Sequence, residues 1–259
     1  MAAPSKNSDT LSTLSRRHPL QRFDSPSKGL SGALHNSSFG WHLQFLTIIG
    51  LSISTLTFIF GLFADLTSTA LSASPDHPSS PPAAELSDQL FRIKNYLALV
   101  AAPIEITISL LYWTLKVIDG NLLVTPDLPL PPVIYDLGFH LVPAVVLTLD
   151  YLLLSPPWPS TPMNGSAPLI TLTISTVIAF TYWIWIEICF SQNGFYPYPI
   201  FALLTTNQRI GLFVVSGVIM WVVGGLLRVV YARVNGYESV EQLEKVRRNK
   251  VMGGSGKWE

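Results

Sequence analysis

The chain alternates between two kinds of stretch. Long runs made almost wholly of apolar residues are separated by short segments rich in proline and serine. Five runs reach the roughly 20 residues that a helix needs to cross a hydrocarbon core. They cover residues 41–64, 95–118, 134–154, 169–190 and 210–227. A buried helix in the core of a soluble protein seldom reaches this length. The pattern predicts an all-α fold, a polytopic transmembrane helical bundle with five strong spans.

Three connections punctuate the spans: residues 72–84, 122–132 and 155–162. Their prolines lack a backbone N–H, and this reading excludes helix from them. Residues 1–40 are rich in serine, proline and basic residues and read as a polar, largely disordered N-terminal tail. Within it, residues 29–35 start like a helix and stop at Asn36-Ser37-Ser38. Residues 41–233 form the transmembrane bundle. In the C-terminal part, 234–259, the segment 239–251 sets Val240, Leu243 and Val246 beside charged neighbours. It reads as a short amphipathic helix at the membrane surface. The spans and their short connections leave no room for a second folded domain.

Composition sharpens this picture. Only 12% of the 259 residues are charged, where a soluble domain carries about 25%. The net charge is zero, so no nucleic acid partner is expected. No phosphate loop, nucleotide motif or metal-ligand constellation is present, and no cofactor is expected. The single cysteine, Cys189, lies inside a span, which excludes an intrachain disulfide. Met1 opens no secretory signal peptide, because no apolar stretch follows it. Both ends are basic, although five spans place them on opposite sides, so charge bias leaves the orientation open. Asn36 and Asn164 begin N-x-S sequons, and five spans put them on opposite faces, so at most one can carry a glycan.

The informative residues are the polar ones inside the spans, which are costly in lipid. Let side A be the side of the amino terminus. Odd-numbered spans then run from A to B and even-numbered spans from B to A. Thr47 and His140 each fall about two turns into a span from side A. Asp119 and Asp136 lie at that boundary, as do Glu187, Trp185, the loop bearing Tyr198, and Arg209. The unusual chemistry thus converges on one end. Side B holds Asp65, Arg92, Lys94, Asp150 and Arg228, which read as structural pairs or headgroup contacts. Glu105 lies mid-span, two residues after Pro103. It reads as a protonated acid bonded to a freed carbonyl or a neighbouring helix, or as a site or relay group.

At these residues the chain resembles the androgen-induced protein / androgen-dependent TFPI-regulating protein family. The matching pieces run in order over roughly residues 40–230. They are Phe45-Leu46-Thr47 leading to Asp65-Leu66, then Ala102-Pro103 leading to Trp113 and Asp119. Gly138-Phe139-His140, Trp185, Gly194 with Tyr198-Pro199, and Arg209-Ile210 follow. The resemblance implies a multi-span threonine hydrolase of lipid esters, acting on fatty acid esters of hydroxy fatty acids. It carries Thr47 over as the nucleophile and His140 as its base. Such a protein is expected in the endoplasmic reticulum and other endomembranes or in the plasma membrane. The resemblance also implies six spans, one of them ahead of the threonine helix. Here that span is reduced to the stub at 29–35 or missing.

The chemistry follows from the residue types. A threonine hydroxyl is a poor nucleophile until a positioned base removes its proton, so Thr47 and His140 are needed together. Asp119 and Asp136 are candidates to orient His140. Tyr198 and Arg209 are candidates to stabilise the oxyanion. The partners are a lipid ester and the surrounding membrane lipids. The alternative is a non-catalytic membrane transporter, lipid-binding protein or scaffold, with Pro103, Glu105 and Glu187 lining its path.

Overall fold

The computed structural model of the chain describes residues 38–72, 81–124, 132–155 and 165–235. The 29–35 stub, the amphipathic segment at 239–251 and both sequon asparagines lie outside these residues. The described residues form helices and turns, with no strand among them. Five helices are long and apolar enough to cross a membrane, as expected for a polytopic bundle. Lipid offers no partner for a free N–H or C=O, so a spanning chain must satisfy its backbone within itself.

The helices are α1 (Leu46–Ser72), α2 (Pro81–Ile118), α3 (Val133–His140), α4 (Val142–Leu149), α5 (Ala167–Asn193), α6 (Pro199–Leu203) and α7 (Thr206–Asn235). Short 3-10 turns stand at Trp41–Gln44 and Gly120–Leu122. Several boundaries differ from the sequence reading. α2 starts at Pro81, inside a connection from which prolines were expected to exclude helix. A proline in the first helical turn loses no hydrogen bond, because the N–H it lacks has no intrahelical acceptor there. α7 runs through Arg228 to Asn235, so the basic residues after the fifth apolar run belong to the helix. The third span is broken: α3 ends at His140, and Leu141 leaves helical geometry. Pro143, in the first turn of α4, cannot donate to the carbonyl of Phe139.

Small residues decide which helices come close. α1 and α2 form an antiparallel pair. Gly61 lies against the Lys94 side chain, and a methyl group on Gly50 would fall 2.8 Å from Glu105 Oε1. α5 and α7 pair in the same way, with Gly217 on Ala179 and Gly224 on Thr171. Lipid tails are as apolar as leucine, so such close backbone approach, not a hydrophobic drive, holds spans together. α2 is the central helix. Of its most apolar stretch, 56% is buried in the protein, against 17–33% for the other four spans. It meets α7 through Ala101, Ala102, Val223 and Leu227. It makes little direct contact with α5, and the space between those two helices matters below.

The side-B end is closed by buried charge. Lys94 Nζ lies 2.6 Å from Asp150 Oδ2, with both side chains at least 93% buried. Lys94 also donates to Ser155 Oγ at 3.0 Å. Arg228 Nη1 donates to Thr171 Oγ1 at 2.6 Å. Tyr231 and Asn235 donate to the carbonyls of Ser155 and Leu152. The contacts of Lys94, Tyr231 and Asn235 anchor the π turn Asp150–Leu154 that ends the third span, and Arg228 joins α7 to α5. Lys94→Met alone leaves Asp150 buried without its counterion and should lower unfolding free energy in detergent by about 3 kcal/mol. The double variant Lys94→Met/Asp150→Leu should recover most of that loss, as read from denaturant or SDS unfolding. A double variant as unstable as the sum of the singles would show that the pair is not the relevant unit.

Candidate active site

Thr47 stands in the first turn of α1, not two turns inside a span. The run of apolar residues begins at Trp41, but the helix does not. Gly40 and Trp41 both take positive φ, 83° and 47°, and Phe45 is extended. Helix cannot propagate backwards through such geometry. Gly40 is required twice over. Its φ favours glycine, and a methyl group there would fall 2.7 Å from Cys189 Sγ.

The turn ahead of α1 is fastened to the far end of α5 by side chains. Phe39 N–H donates to Asn193 Oδ1 at 2.8 Å, and Asn193 Nδ2 returns a bond to the Phe39 carbonyl at 2.9 Å. Trp185 Nε1 donates to the carbonyl of Leu43 at 3.0 Å. Tyr182 Oη donates to the carbonyl of Gln44 at 2.8 Å and accepts from Leu46 N–H at 3.1 Å. The hydroxyl of Tyr198 reaches the backbone of Leu46 and Thr47, the Thr47 side chain and the hydroxyl of Tyr182. The Tyr182 hydroxyl therefore serves the opening turn of α1, where N–H groups have no partner of their own, and the Tyr198 hydroxyl lies beside it.

Gly194, at φ 76°, ends α5 and lets the chain turn back into the loop that delivers Tyr198. Tyr198 caps α6, and Phe45 meets its ring edge-on at 5.6 Å. Burial of the hydroxyl pushes Tyr198 up to about 12, so it stays a proton donor throughout the neutral range. Tyr196 in the same loop is also pushed up to about 12, by burial and by its hydrogen bond to Glu187.

His140 belongs to a second group. Its ring stacks on Tyr112 with centroids 3.5 Å apart and planes 3° from parallel. Its Nδ1 is buried and lies 3.9 Å from Asp136 Oδ1, too far for a hydrogen bond but close enough for attraction once the ring is charged. Asp136 is 1% exposed. One of its oxygens accepts from Tyr112 Oη at 2.7 Å, and the other pairs with Lys116. Lys116 also stands over the rings of Tyr112 and Trp113.

A cavity of about 300 Å³ is lined by Thr47 from the first group and by Tyr112 from the second, but not by His140, Asp136 or Lys116. It fills the space left between α2 and α5. Thr47, Tyr112, Tyr182 and Tyr198 line its side-A end, and Ile104, Ile108 and Met220 line it deeper down. Thr47 and Tyr112 thus share its wall, with His140 packed on the Tyr112 ring. Thr47 and His140 lie on helices that touch, α1 and α3, and form no hydrogen bond with each other.

The other candidates fall outside this centre. Asp119 is exposed and caps the 3-10 turn after α2 by accepting from Asn121 N–H at 2.9 Å. Arg209 is used as a clamp. It donates to Glu187 Oε1 at 2.8 Å and to the carbonyls of Phe201 and Leu204. Glu187 is held by Arg209 and by Tyr196 Oη at 3.0 Å. Glu105 accepts from Ser54 Oγ on α1 at 3.0 Å and does not line the cavity. Its partner is thus a neighbouring helix. Sequence reasoning missed Tyr112, Lys116 and Tyr182. Tyr112 and Lys116 stand four residues apart, on one helix face, at the level of Asp119, and that spacing was the available signal.

Known proteins resemble this chain along most of its length. The family model described as FAR-17a/AIG1-like protein matches residues 22–232. A UPF0641 membrane protein of Schizosaccharomyces pombe is 32% identical over 192 residues, covering 71% of this chain and 75% of that protein. No solved structure matches.

The two loop tyrosines give a pH test. Each loses its proton near 10 in an unfolded chain and near 12 in the folded one. The folded state then binds these protons more tightly, so stability is full below pH 10 and is lost as pH rises toward 12. Thermal unfolding in detergent should fall over that window. The double variant Tyr196→Phe/Tyr198→Phe should flatten the fall, and an unchanged slope would assign it to other groups.

Proposed function

The chain belongs to the FAR-17a/AIG1-like family, and on that premise we propose that it is an integral membrane hydrolase of lipid esters with Thr47 as nucleophile and His140 as base. The observation that carries this reading is the setting of Thr47. Its side chain lies at the wall of a deep apolar cavity, in the first turn of a helix, beside a tyrosine hydroxyl. An ester chain fits the apolar depth, and its carbonyl fits the polar end at side A.

In the proposed reaction, Thr47 Oγ1 attacks the ester carbonyl carbon and its proton passes to His140. The carbonyl oxygen becomes an oxyanion. Tyr198 O–H and the positive N-terminal end of α1 are the groups proposed to stabilise it. Collapse breaks the bond to the alkoxy oxygen, and His140 returns its proton to the departing alcohol. Water then attacks the acyl-threonine with His140 again as base, which releases the fatty acid and restores Thr47. Asp136 supports the imidazolium by charge at 3.9 Å, and Tyr112 holds the ring plane. Lys116 in turn holds Asp136 in place. Base and nucleophile are not hydrogen-bonded without substrate, and such bonds commonly tighten only in the Michaelis complex.

Fatty acid esters of hydroxy fatty acids, or close relatives, are the proposed substrates, and endomembranes such as the endoplasmic reticulum the proposed location. A carrier using Glu105 is less well supported, because that carboxyl is sealed between α1 and α2 away from the cavity.

Thr47→Ala and His140→Ala should each abolish hydrolysis of a long-chain ester by protein that remains folded in detergent. The two groups act in one step, so the double variant should be about as inactive as either single variant. Thr47→Ser keeps the hydroxyl and should retain part of the activity and a covalent acyl or phosphonate label. A Thr47→Ala protein that turns over esters at the wild-type rate would end the assignment.

A further inference from the structure

Serine and threonine hydroxyls in apolar helices ordinarily donate to the carbonyl four residues back. Thr107, Thr171 and Ser216 do so here, at 2.7–2.8 Å. Ser175 does not. The residue is fully buried, and its hydroxyl has no partner. An unsatisfied hydroxyl at that depth is costly, and Ser175 lines the cavity.

Two further hydroxyl residues line the cavity at that level. Ser216 adjoins Gly217, whose Cβ position is 3.5 Å from the Ser175 carbonyl. Thr107 lies between Ile104 and Ile108, which pack with Met220, Ile174 and Ile178. The three come from α5, α7 and α2, so they surround the space. Their level is far from the ester end: Ser175 lies about 10 Å along α5 from Tyr182, at the rise of an α-helix. Thr107 and Ser216 commit their hydrogens to their own helices and keep lone pairs free. The hydrogen of Ser175 is uncommitted. The set offers one donor and two acceptors. A hydroxyl group on a ligand can use both kinds, a ketone or epoxide oxygen only the donor, and a methylene neither.

We propose that Ser175, with Thr107 and Ser216, forms a subsite for a hydroxyl group carried in the middle of the lipid chain. The proposal rests on the reading that the Thr47 cavity holds a lipid ester, and it makes Ser175 a specificity residue for that chain.

The test uses the purified full chain in detergent. Stearate esters of nitrophenol are compared unsubstituted and with a hydroxyl near the carbonyl, at mid-chain or near the methyl end. The mid-chain hydroxy ester should show a kcat/KM roughly fivefold to tenfold above the unsubstituted one, the size of one hydrogen bond. Ser175→Ala should bring that ratio close to one, and Ser175→Thr should keep it. Equal ratios at all positions, or a ratio that Ser175→Ala leaves unchanged, would overturn the subsite. A second measurement needs no turnover: displacement of a fluorescent fatty acid from Thr47→Ala protein by mid-chain hydroxystearate and by stearate. Should the wild type hydrolyse no ester while hydroxystearate still binds more tightly through Ser175, the ester reading fails and the subsite stands. Should hydrolysis proceed with no advantage in either measurement, the subsite fails and the ester reading stands.

Discussion

A helix that begins close to lipid must find partners for its first N–H groups, and the start of α1 depends on meeting that need. Water and a polar side chain at the N-cap commonly do this in soluble proteins. Here Phe45 precedes the helix and has no side-chain oxygen. The hydroxyl of Tyr182 supplies it instead, from α5, with that of Tyr198 close by in the loop that follows. The consequence is geometric. The opening turn of α1 is thereby tied to α5, and Thr47 is in that turn. The same tyrosines form one end of the cavity, so the contacts that allow α1 to start there also shape the place a ligand would occupy.

The cavity itself follows from where close packing is permitted. Gly50 and Gly61 draw α1 onto α2, and Gly217 and Gly224 draw α7 onto α5. α2 meets α7 in turn. No such small-residue seam joins α2 to α5, and the space stays open between them. Isoleucines, Met220 and Phe213 line it. The charged groups, by contrast, lie at the two ends and are satisfied there, Lys94 with Asp150 on one side and Lys116 with Asp136 on the other. This separation leaves an apolar interior with a polar mouth. Glu105 is the exception in depth, and its bond to Ser54 ties α1 to α2.

Asp136 shows how one buried carboxylate can organise a region. Its two oxygens are shared between Tyr112 and Lys116, and the same Tyr112 ring carries His140 on its face. The break at Leu141, caused by Pro143, ends α3 at His140. Arg209 does comparable work on the opposite flank, joining Glu187 to the carbonyls that end α6. It is thereby committed to holding the Tyr198 loop in place.

Much of this was legible in the residues alone. The five spans follow from apolar runs and proline connections, because the bilayer enforces length and backbone satisfaction on any chain that crosses it. Chain alternation placed Thr47, Asp136, His140, Glu187 and Arg209 at one end, and ordered short motifs indicated the family. Only the tertiary structure decided that α1 starts at Leu46, that Asp136 and not Asp119 approaches His140, that Arg209 belongs to Glu187, and that Ser175 has no partner. The reason lies in the solvent. In water, hydropathy marks which face of a helix is buried, but lipid is as apolar as a protein core. Rotation of each helix about its axis, and the neighbour it meets, are then set by glycine contacts and hydrogen bonds between distant residues. Those pairings leave no trace in the pattern along the chain.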